Sequence, residues 1–118
     1  MRKITEESHR FTKIIVLDEP GAGNACHEYM VIPLSETSTN PFATVHFQNG
    51  PVKEKGVNGC FQEDLLLIVA DRLQSFQAGQ FACNDNAEAL SHVLAALECL
   101  GRRTKGRQFR GVEGLNVV

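Results

Sequence analysis

Apolar residues recur at helical spacing in two blocks in the second half of the chain. The first block, residues 63–78, begins with Glu63 and Asp64, whose negative charges suit the exposed amides of a first helical turn. Gly79 follows, and there we expect a left-handed residue to end the helix. The pattern therefore predicts an amphipathic helix. Its apolar face is formed by Leu65, Leu66, Val69, Leu73 and Phe76.

The second block begins with a capping-box sequence, in which Asp85 accepts a hydrogen bond from a first-turn amide and Glu88 reaches back to the helix start. The corner at 79–84 is too short for anything except an antiparallel pair of helices. We therefore predict a helix pair over about residues 62–110. The apolar stripe of the second helix is formed by Leu90, Val93, Leu94, Leu97 and Leu100.

The first half of the chain has the composition of β-strands over about residues 11–48. We predict a polar linker at 35–41, a glycine-rich loop at 49–59, and a tail or edge segment at 1–10 that orders on assembly. Strands followed by helices favour an α+β fold, here a small antiparallel N-terminal sheet followed by a long antiparallel helix pair. The predicted strands span 11–18, 26–33 and 42–48.

The overall composition, with 42% apolar and 22% charged residues, is typical of one globular domain spanning residues 1–118. The longest apolar run has six residues, against about 20 for a membrane span, and the N-terminus has no apolar signal core. We therefore expect a cytoplasmic protein with no membrane partner. The four cysteines form no CxxC pair, which predicts free thiols. A formal net charge of −2 argues against duplex nucleic acid as a partner.

Five basic residues and no acid lie within residues 101–111 of this mildly acidic chain. Arg103, Arg107 and Arg110 are spaced i, i+4 and i+7, so they share a face if the helix continues through the glycines among them. Guanidinium groups bind phosphate in a bidentate manner, which makes these residues the best anion site in the sequence. The alternative, which the residues alone favour, is that they complement the helix dipole and stay solvated.

Phe76, beside the helix corner, is suited to stack on a nucleobase, although an aromatic residue there is more often part of a core. Asn86 is suited to hydrogen-bond a base or ribose, although capping of a first-turn amide is the simpler interpretation. The scattered histidines and cysteines supply neither a metal-ligand set nor a nucleophile with its base. We therefore expect no metal, no cofactor and no catalysis.

A series of short segments occurs along the chain from about residue 24 to residue 114. They are NACHEY at 24–29, FQNGPVKE at 47–54, GVNG at 56–59, DRL at 71–73, FQAG at 76–79, Asn86, RT at 103–104 and RGVEG at 110–114. Together these segments resemble a family of small phage proteins, the first type of Thoeris anti-defence protein.

The resemblance implies a non-catalytic protein that binds and sequesters glyco-cyclic ADP-ribose, the messenger of bacterial TIR-domain immune proteins, and so keeps their effector inactive. It also implies a second ligand class, cyclic trinucleotides held at a separate site within a hexamer, and action in the host cytoplasm. In this family an aromatic residue, an asparagine and arginines one turn apart hold the signal. The matching positions are Phe76, Asn86, Arg103 and Arg107, to which we add Arg110 and Lys53.

The sequence departs from the family at Phe61, where a small polar helix cap is usual, and at Gly106, where a helix former is expected. Its tail at 115–118 is also more apolar than expected. The block 65–70 is apolar nearly all round, so we expect another copy to complete the core, in a homodimer or a hexamer. Two other functions stay open: an enzyme that degrades a cyclic nucleotide, and a helical adaptor that binds protein or DNA through the arginine patch at 102–110.

Overall fold

The structure, a computed structural model, describes residues 1–4, 11–35 and 40–118. Most of the predicted tail at 1–10 and of the predicted linker at 35–41 therefore falls outside the described residues. The chain forms two compact units, an N-terminal unit (Met1–Cys60) and a C-terminal unit (Phe61–Val118).

The N-terminal unit contains a four-stranded antiparallel sheet in which neighbours in sequence are neighbours in space. The three predicted strands are present in shorter form. A fourth strand lies at the edge of the sheet, where Arg2 pairs with Val16 and Lys3 pairs with Ile15. The strands are β1 (Arg2–Lys3), β2 (Thr12–Val16), β3 (Glu28–Pro33) and β4 (Ala43–His46).

A small core forms on the sheet. Val16 lies opposite Tyr29 and Tyr29 lies opposite Val45, so the three side chains line the same face. Val16 is fully buried, and the ring of Tyr29 packs edge-to-face on Phe47 with centroids 5.6 Å apart. Among the described residues of this unit, Cys26, His27 and Ile32 are also buried.

The carboxylate of Asp18 holds the connection from β2 to β3. The backbone N–H groups of His27 and Glu28 donate to it at 2.9 and 3.1 Å. Burial raises the pKa of Asp18, but the hydrogen bonds from the N–H groups of His27 and Glu28 lower it by more than burial raises it. The pKa therefore lies below its usual 3.8. The ionised carboxylate therefore stabilises this connection.

The glycine-rich stretch 49–59 was predicted as a loop, because it lacks a regular apolar pattern. In the structure it contains one helical turn, α1 (Val52–Lys55). Two amide side chains tie the stretch together. Gln48 Nε2 donates to the Gly56 carbonyl, and the Asn58 N–H donates to Gln48 Oε1, both at 2.8 Å. Side-chain bonds of this kind replace the regular ladder that a helix or strand would provide.

The C-terminal unit is a helical hairpin, with helices α2 (Gln62–Gln77) and α3 (Asn84–Phe109) packed on one another. The connection between them is short, so the helices run antiparallel. Phe61 is the N-cap residue of α2 but has no polar side chain to accept a hydrogen bond. The helix start is held instead by the Phe61 N–H, which donates to the Asp64 carboxylate at 2.8 Å. The antiparallel sheet followed by this helix pair confirms the predicted α+β fold.

Two predicted helix ends are wrong. Asp85 does not cap α3, because the helix begins earlier and the Sγ of Cys83 accepts the hydrogen bond from the Asn86 N–H at 3.4 Å. Gly79 is not left-handed, since a hydrogen-bonded turn carries the chain out of α2. In this unit, the glycine that ends a helix in a left-handed conformation is Gly111, which follows α3 and has a φ of 74°.

Helix α3 continues without a break through Gly101 and Gly106. Its half-buried residues recur at helical spacing, and this stripe continues past Leu100 to Arg107. Leu94, predicted in the stripe, is exposed because it lies at the edge of the stripe. Within the described ranges, no helix has the length and apolar character required to cross a membrane.

Candidate anion-binding site

Three arginines occupy the last turns of α3, which we call the arginine end. Arg103 and Arg107 are one turn apart, and Arg110 is the C-cap residue. Gly106 does not interrupt the helix, and its carbonyl accepts a hydrogen bond from the Arg110 N–H at 3.1 Å. The predicted helical spacing is therefore present, but the three guanidinium groups have different partners.

Arg107 is half-buried and bonded to the segment that follows α3, residues 112–118, which we call the tail. Its Nη1 donates to the Val117 carbonyl at 2.7 Å. Its Nη2 donates to the carbonyls of Val112 and Leu115, each at 3.0 Å. The Arg107 side chain therefore holds the tail against the end of α3.

The way in which α3 ends brings the tail back to Arg107. The Val112 N–H donates to the Arg107 carbonyl and the Gly111 N–H donates to the Gln108 carbonyl, each at 3.0 Å, which is the Schellman arrangement. Gly111 has a φ of 74° and Gly114 a φ of 73°, conformations that glycine adopts without steric cost. The two glycines therefore direct where the tail carbonyls lie.

Arg110 and Arg103 differ in their partners. The Nη2 of Arg110 donates to the main-chain oxygen of Val118 at 2.9 Å. Arg103 is exposed, and among the residues that the structure describes its guanidinium group has no hydrogen-bond or ion-pair partner. Its neighbour Arg102 pairs with Glu98 at 3.4 Å. Arg103 therefore offers its complete fork of donors to an anion.

Phe76 and Asn86 lie on either side of the connection between the helices, which we call the turn end. Phe76 is half-buried, and the guanidinium carbon of Arg72 lies 5.0 Å from its ring centroid, within range of a cation–π contact. Asn86 Nδ2 donates to the Phe81 carbonyl at 3.4 Å. The capping interpretation of Asn86 is wrong, because Cys83 caps the helix.

The structure separates the turn end from the arginine end. Arg103 follows Asn86 by seventeen residues in one continuous helix, which is about 26 Å along the axis at about 1.5 Å per residue. Lys53 is exposed on α1, in the N-terminal unit. A single α3 therefore does not bring Asn86 and Arg103 to the same small ligand.

Arg72 and the tail are parts of this region that the sequence patterns did not identify. Arg72 precedes Phe76 by four residues, and this spacing was the available signal, since residues four apart are neighbours on a helix. The tail contributes carbonyl oxygens, which every residue carries. The only sequence signal for it was the pair of glycines after α3.

One group of residue types suited to metal binding or catalysis, Asp18, Cys26 and His27, lies together in the N-terminal unit. No three His, Cys, Asp or Glu side chains in the described part of the chain, these included, are placed to hold a metal ion. His27 is buried, with its Nδ1 lacking a hydrogen-bond partner and lying 3.9 Å from Asp18 Oδ2. The Cys26 thiol donates to the Asp18 carbonyl at 3.4 Å, so this cluster is bonded to its own turn.

The fold and the arginine end define a class of small α+β protein whose helical hairpin carries a cationic end suited to anions. Residues 41–105 match the family model described as Acb2/Tad1, hairpin domain. Because this match covers more than half of the chain, the chain belongs to the Acb2/Tad1 hairpin family. The matched region includes Lys53, Phe76, Asn86 and Arg103, and it ends before Arg107 and Arg110.

A curated relative supports the same assignment. The chain is 51% identical over 72 residues to the protein named Thoeris anti-defense 1 from Bacillus phage SBSphiJ7. The aligned residues are 61% of this chain and 51% of that protein, so the chain spans about half the length of this relative. The resemblance to the first type of Thoeris anti-defence protein is thereby confirmed.

Proposed function

We propose that this chain is a non-catalytic anti-defence protein that binds and sequesters a cyclic nucleotide immune signal, and so keeps the effector of that signal inactive. The proposed ligand is glyco-cyclic ADP-ribose, with cyclic trinucleotides as a second class, and the proposed location is the host cytoplasm. Family membership and the name of the phage relative support the anti-defence role. The arginine end supports an anionic ligand.

The ligand presents a diphosphate, an adenine ring and ribose hydroxyls, and the chain offers a group for each. The free fork of Arg103 donates two parallel N–H groups to the diphosphate. Phe76 stacks on the adenine, and Asn86 hydrogen-bonds a polar edge of the ligand. Arg107, Arg110 and Lys53 are further proposed contacts. Sequestration of this kind requires no general base and no activated nucleophile.

The spacing along α3 is the observation that carries the proposal, because a pocket built from both Asn86 and Arg103 would need two copies of the chain. Asn86 and Arg103 are about 26 Å apart along one helix axis, further than a compact cyclic ADP-ribose reaches. Two hairpins packed antiparallel bring the turn end of one copy to the arginine end of the other. We therefore propose a homo-oligomer, with the dimer as its smallest unit and a hexamer as an assembly of dimers.

An exposed apolar surface on α2 supports this assembly. Leu67 is 56% exposed, Ile68 is 65% exposed and Val69 is 43% exposed. The three residues are consecutive in α2, so they point to different sides of the helix, and a helix that is apolar on several sides is typical of one that packs against a partner. A second copy is the occupant we propose, because the separated halves of the pocket need one.

A subunit-mixing experiment tests the shared pocket. Asn86→Ala and Arg103→Ala chains are purified separately, unfolded together and refolded as a mixture. Each parental oligomer carries a defect in every pocket, whereas a mixed dimer has one pocket with both defects and one pocket with none. We expect the mixture to contain pockets with wild-type affinity, which neither parent has. If the mixture shows only the weakened affinity of the parents although mixed dimers form, the shared pocket is wrong.

The ligand itself is identified by mass spectrometry. The protein is made in cells with an active TIR-domain signalling enzyme, purified, and heated to release small molecules. Intact glyco-cyclic ADP-ribose supports sequestration, whereas a hydrolysed product supports the degrading enzyme. A salt titration with duplex DNA tests the adaptor alternative, since a duplex binder loses affinity steeply as salt concentration rises.

A further inference from the structure

Arg107 is a proposed ligand contact whose guanidinium group is already hydrogen-bonded to the chain's own tail. A guanidinium group binds phosphate through two parallel N–H groups, and it has two such pairs, Nε with Nη2 and Nη1 with Nη2. Nη2 belongs to both pairs. It donates to the carbonyls of Val112 and Leu115 at 3.0 Å, while Nη1 donates to Val117 at 2.7 Å. Neither pair is free while the tail is in place.

The tail is hydrogen-bonded to two of the three arginines of the arginine end, Arg107 and Arg110. Arg110 is bonded to the main-chain oxygen of Val118 at 2.9 Å, so two of the three arginines give donors to tail oxygens. These oxygens take the positions that phosphate oxygens would take around the same donors. Arg103, by contrast, has no partner in the described part of the chain. An incoming anion therefore meets one open arginine and two occupied ones.

We propose that the tail, residues 112–118, is a latch that competes with the anionic ligand for Arg107. This inference rests on the proposed function. The diphosphate first binds Arg103 and then displaces the tail carbonyls from Arg107, one turn along the same helix. The apparent association constant equals the intrinsic association constant multiplied by the fraction of molecules whose latch is open.

Gly111 is the position at which the latch can be weakened without altering a side chain of the pocket. Its φ is 74°, and a Cβ added there would meet no atom within 4 Å, so alanine acts through the backbone alone. Alanine disfavours this left-handed conformation by about 5- to 30-fold. Gly23 in the N-terminal unit is a matched control, because its φ is 70° and its added Cβ also meets no atom within 4 Å.

The test is calorimetric titration of full-length chains with glyco-cyclic ADP-ribose. We expect Gly111→Ala to bind more tightly than the wild type, by up to about 5- to 30-fold, and Gly23→Ala to bind as the wild type does. Equal or weaker binding by Gly111→Ala, with an unchanged circular dichroism spectrum, overturns the latch and leaves the proposed function standing. Failure of the wild type to bind refutes the proposed function, and the latch with it.

Hydrogen exchange supplies a measurement that needs no variant. The N–H groups of Val112 and Leu115 are bonded to the carbonyls of Arg107 and Val112 at 3.0 Å, so both amides report on the closed tail. If the ligand displaces the tail, saturating ligand raises the exchange rates of these amides. Unchanged or slower exchange would mean that the tail stays in place or closes over the ligand, and either result overturns the competition.

Discussion

Replacement of Arg103 by alanine separates the proposed phosphate contact from the stability of the fold. The side chain is exposed and has no partner in the described residues, so its removal leaves no buried group unsatisfied. We expect the free energy of unfolding to change by less than about 0.5 kcal/mol. Arg107→Ala does not allow this separation, because it also removes three hydrogen bonds to the tail.

The expected loss of affinity follows from the hydrogen bonds that Arg103 can donate. A hydrogen bond to a charged group contributes about 1.5–3 kcal/mol, so Arg103→Ala should raise the dissociation constant by about 10- to 150-fold. Arg103→Lys should recover only part of this loss, because lysine keeps the charge but lacks the planar fork. Full recovery with lysine would indicate a point-charge interaction instead.

The assay is isothermal titration with glyco-cyclic ADP-ribose, with circular dichroism to verify the fold. Arg102→Ala is the matched control, since Arg102 is the adjacent arginine, is also exposed, and pairs with Glu98 at 3.4 Å. We expect this variant to bind as the wild type does. If Arg103→Ala binds as tightly as the wild type, the arginines stay solvated at the end of the helix and do not contact the ligand. If Arg102→Ala loses as much affinity, the effect is one of overall charge and not of the Arg103 fork.

Three further predictions concern assembly and stability. Leu67→Glu should lower the oligomeric state measured by light scattering, because it places a charge in the exposed apolar surface of α2; a wild-type monomer at micromolar concentration would contradict the assembly. Gly59→Ala should lower the melting temperature, because the alanine Cβ would lie 2.5 Å from the Phe47 carbonyl carbon. The expected loss in the free energy of unfolding is about 1–3 kcal/mol. Gly101→Ala is the control and should show no such loss, since a Cβ at residue 101 meets no atom within 4 Å. Because the pKa of Asp18 is lowered in the folded state, its stabilising contribution is complete above pH 3.8 and is lost as the pH falls through the folded-state value. In denaturant unfolding across this pH range, Asp18→Asn should lose the acid-dependent part of stability, and equal acid sensitivity of both proteins would refute the role of the carboxylate.

Much of the fold could be predicted from the sequence, because its elements have strong local patterns. The stripe from Leu90 to Leu100 has the period of a helix, and a short corner admits only an antiparallel partner. The β-branched run that becomes β2 is typical of a strand. These features depend on residues close together in the chain, so a linear pattern contains the necessary information.

The structure differs from these predictions where distant residues take part. The sequence left open whether residues 1–10 form a tail or an edge segment, and the structure places Arg2 and Lys3 in an edge strand, β1, which pairs with the unpaired backbone groups of β2. The start of α3 depends on the thiol of Cys83, a residue type that is not among the usual caps, and a capping box at Asp85 was the stronger pattern. Pairing and capping here are settled by the backbone geometry that the neighbouring elements impose.

For the candidate site, the sequence by itself determined the spacing of Arg103, Arg107 and Arg110, and the resemblance to a family led to the prediction that they bind a cyclic nucleotide signal. Only the tertiary structure decided that α3 is continuous, so that Asn86 and Arg103 are about 26 Å apart along one axis. It also decided which of these arginines has no partner among the described residues, namely Arg103. The partners of Arg107 are backbone carbonyls of the tail, and since every residue carries a carbonyl, no pattern of side chains could have revealed them.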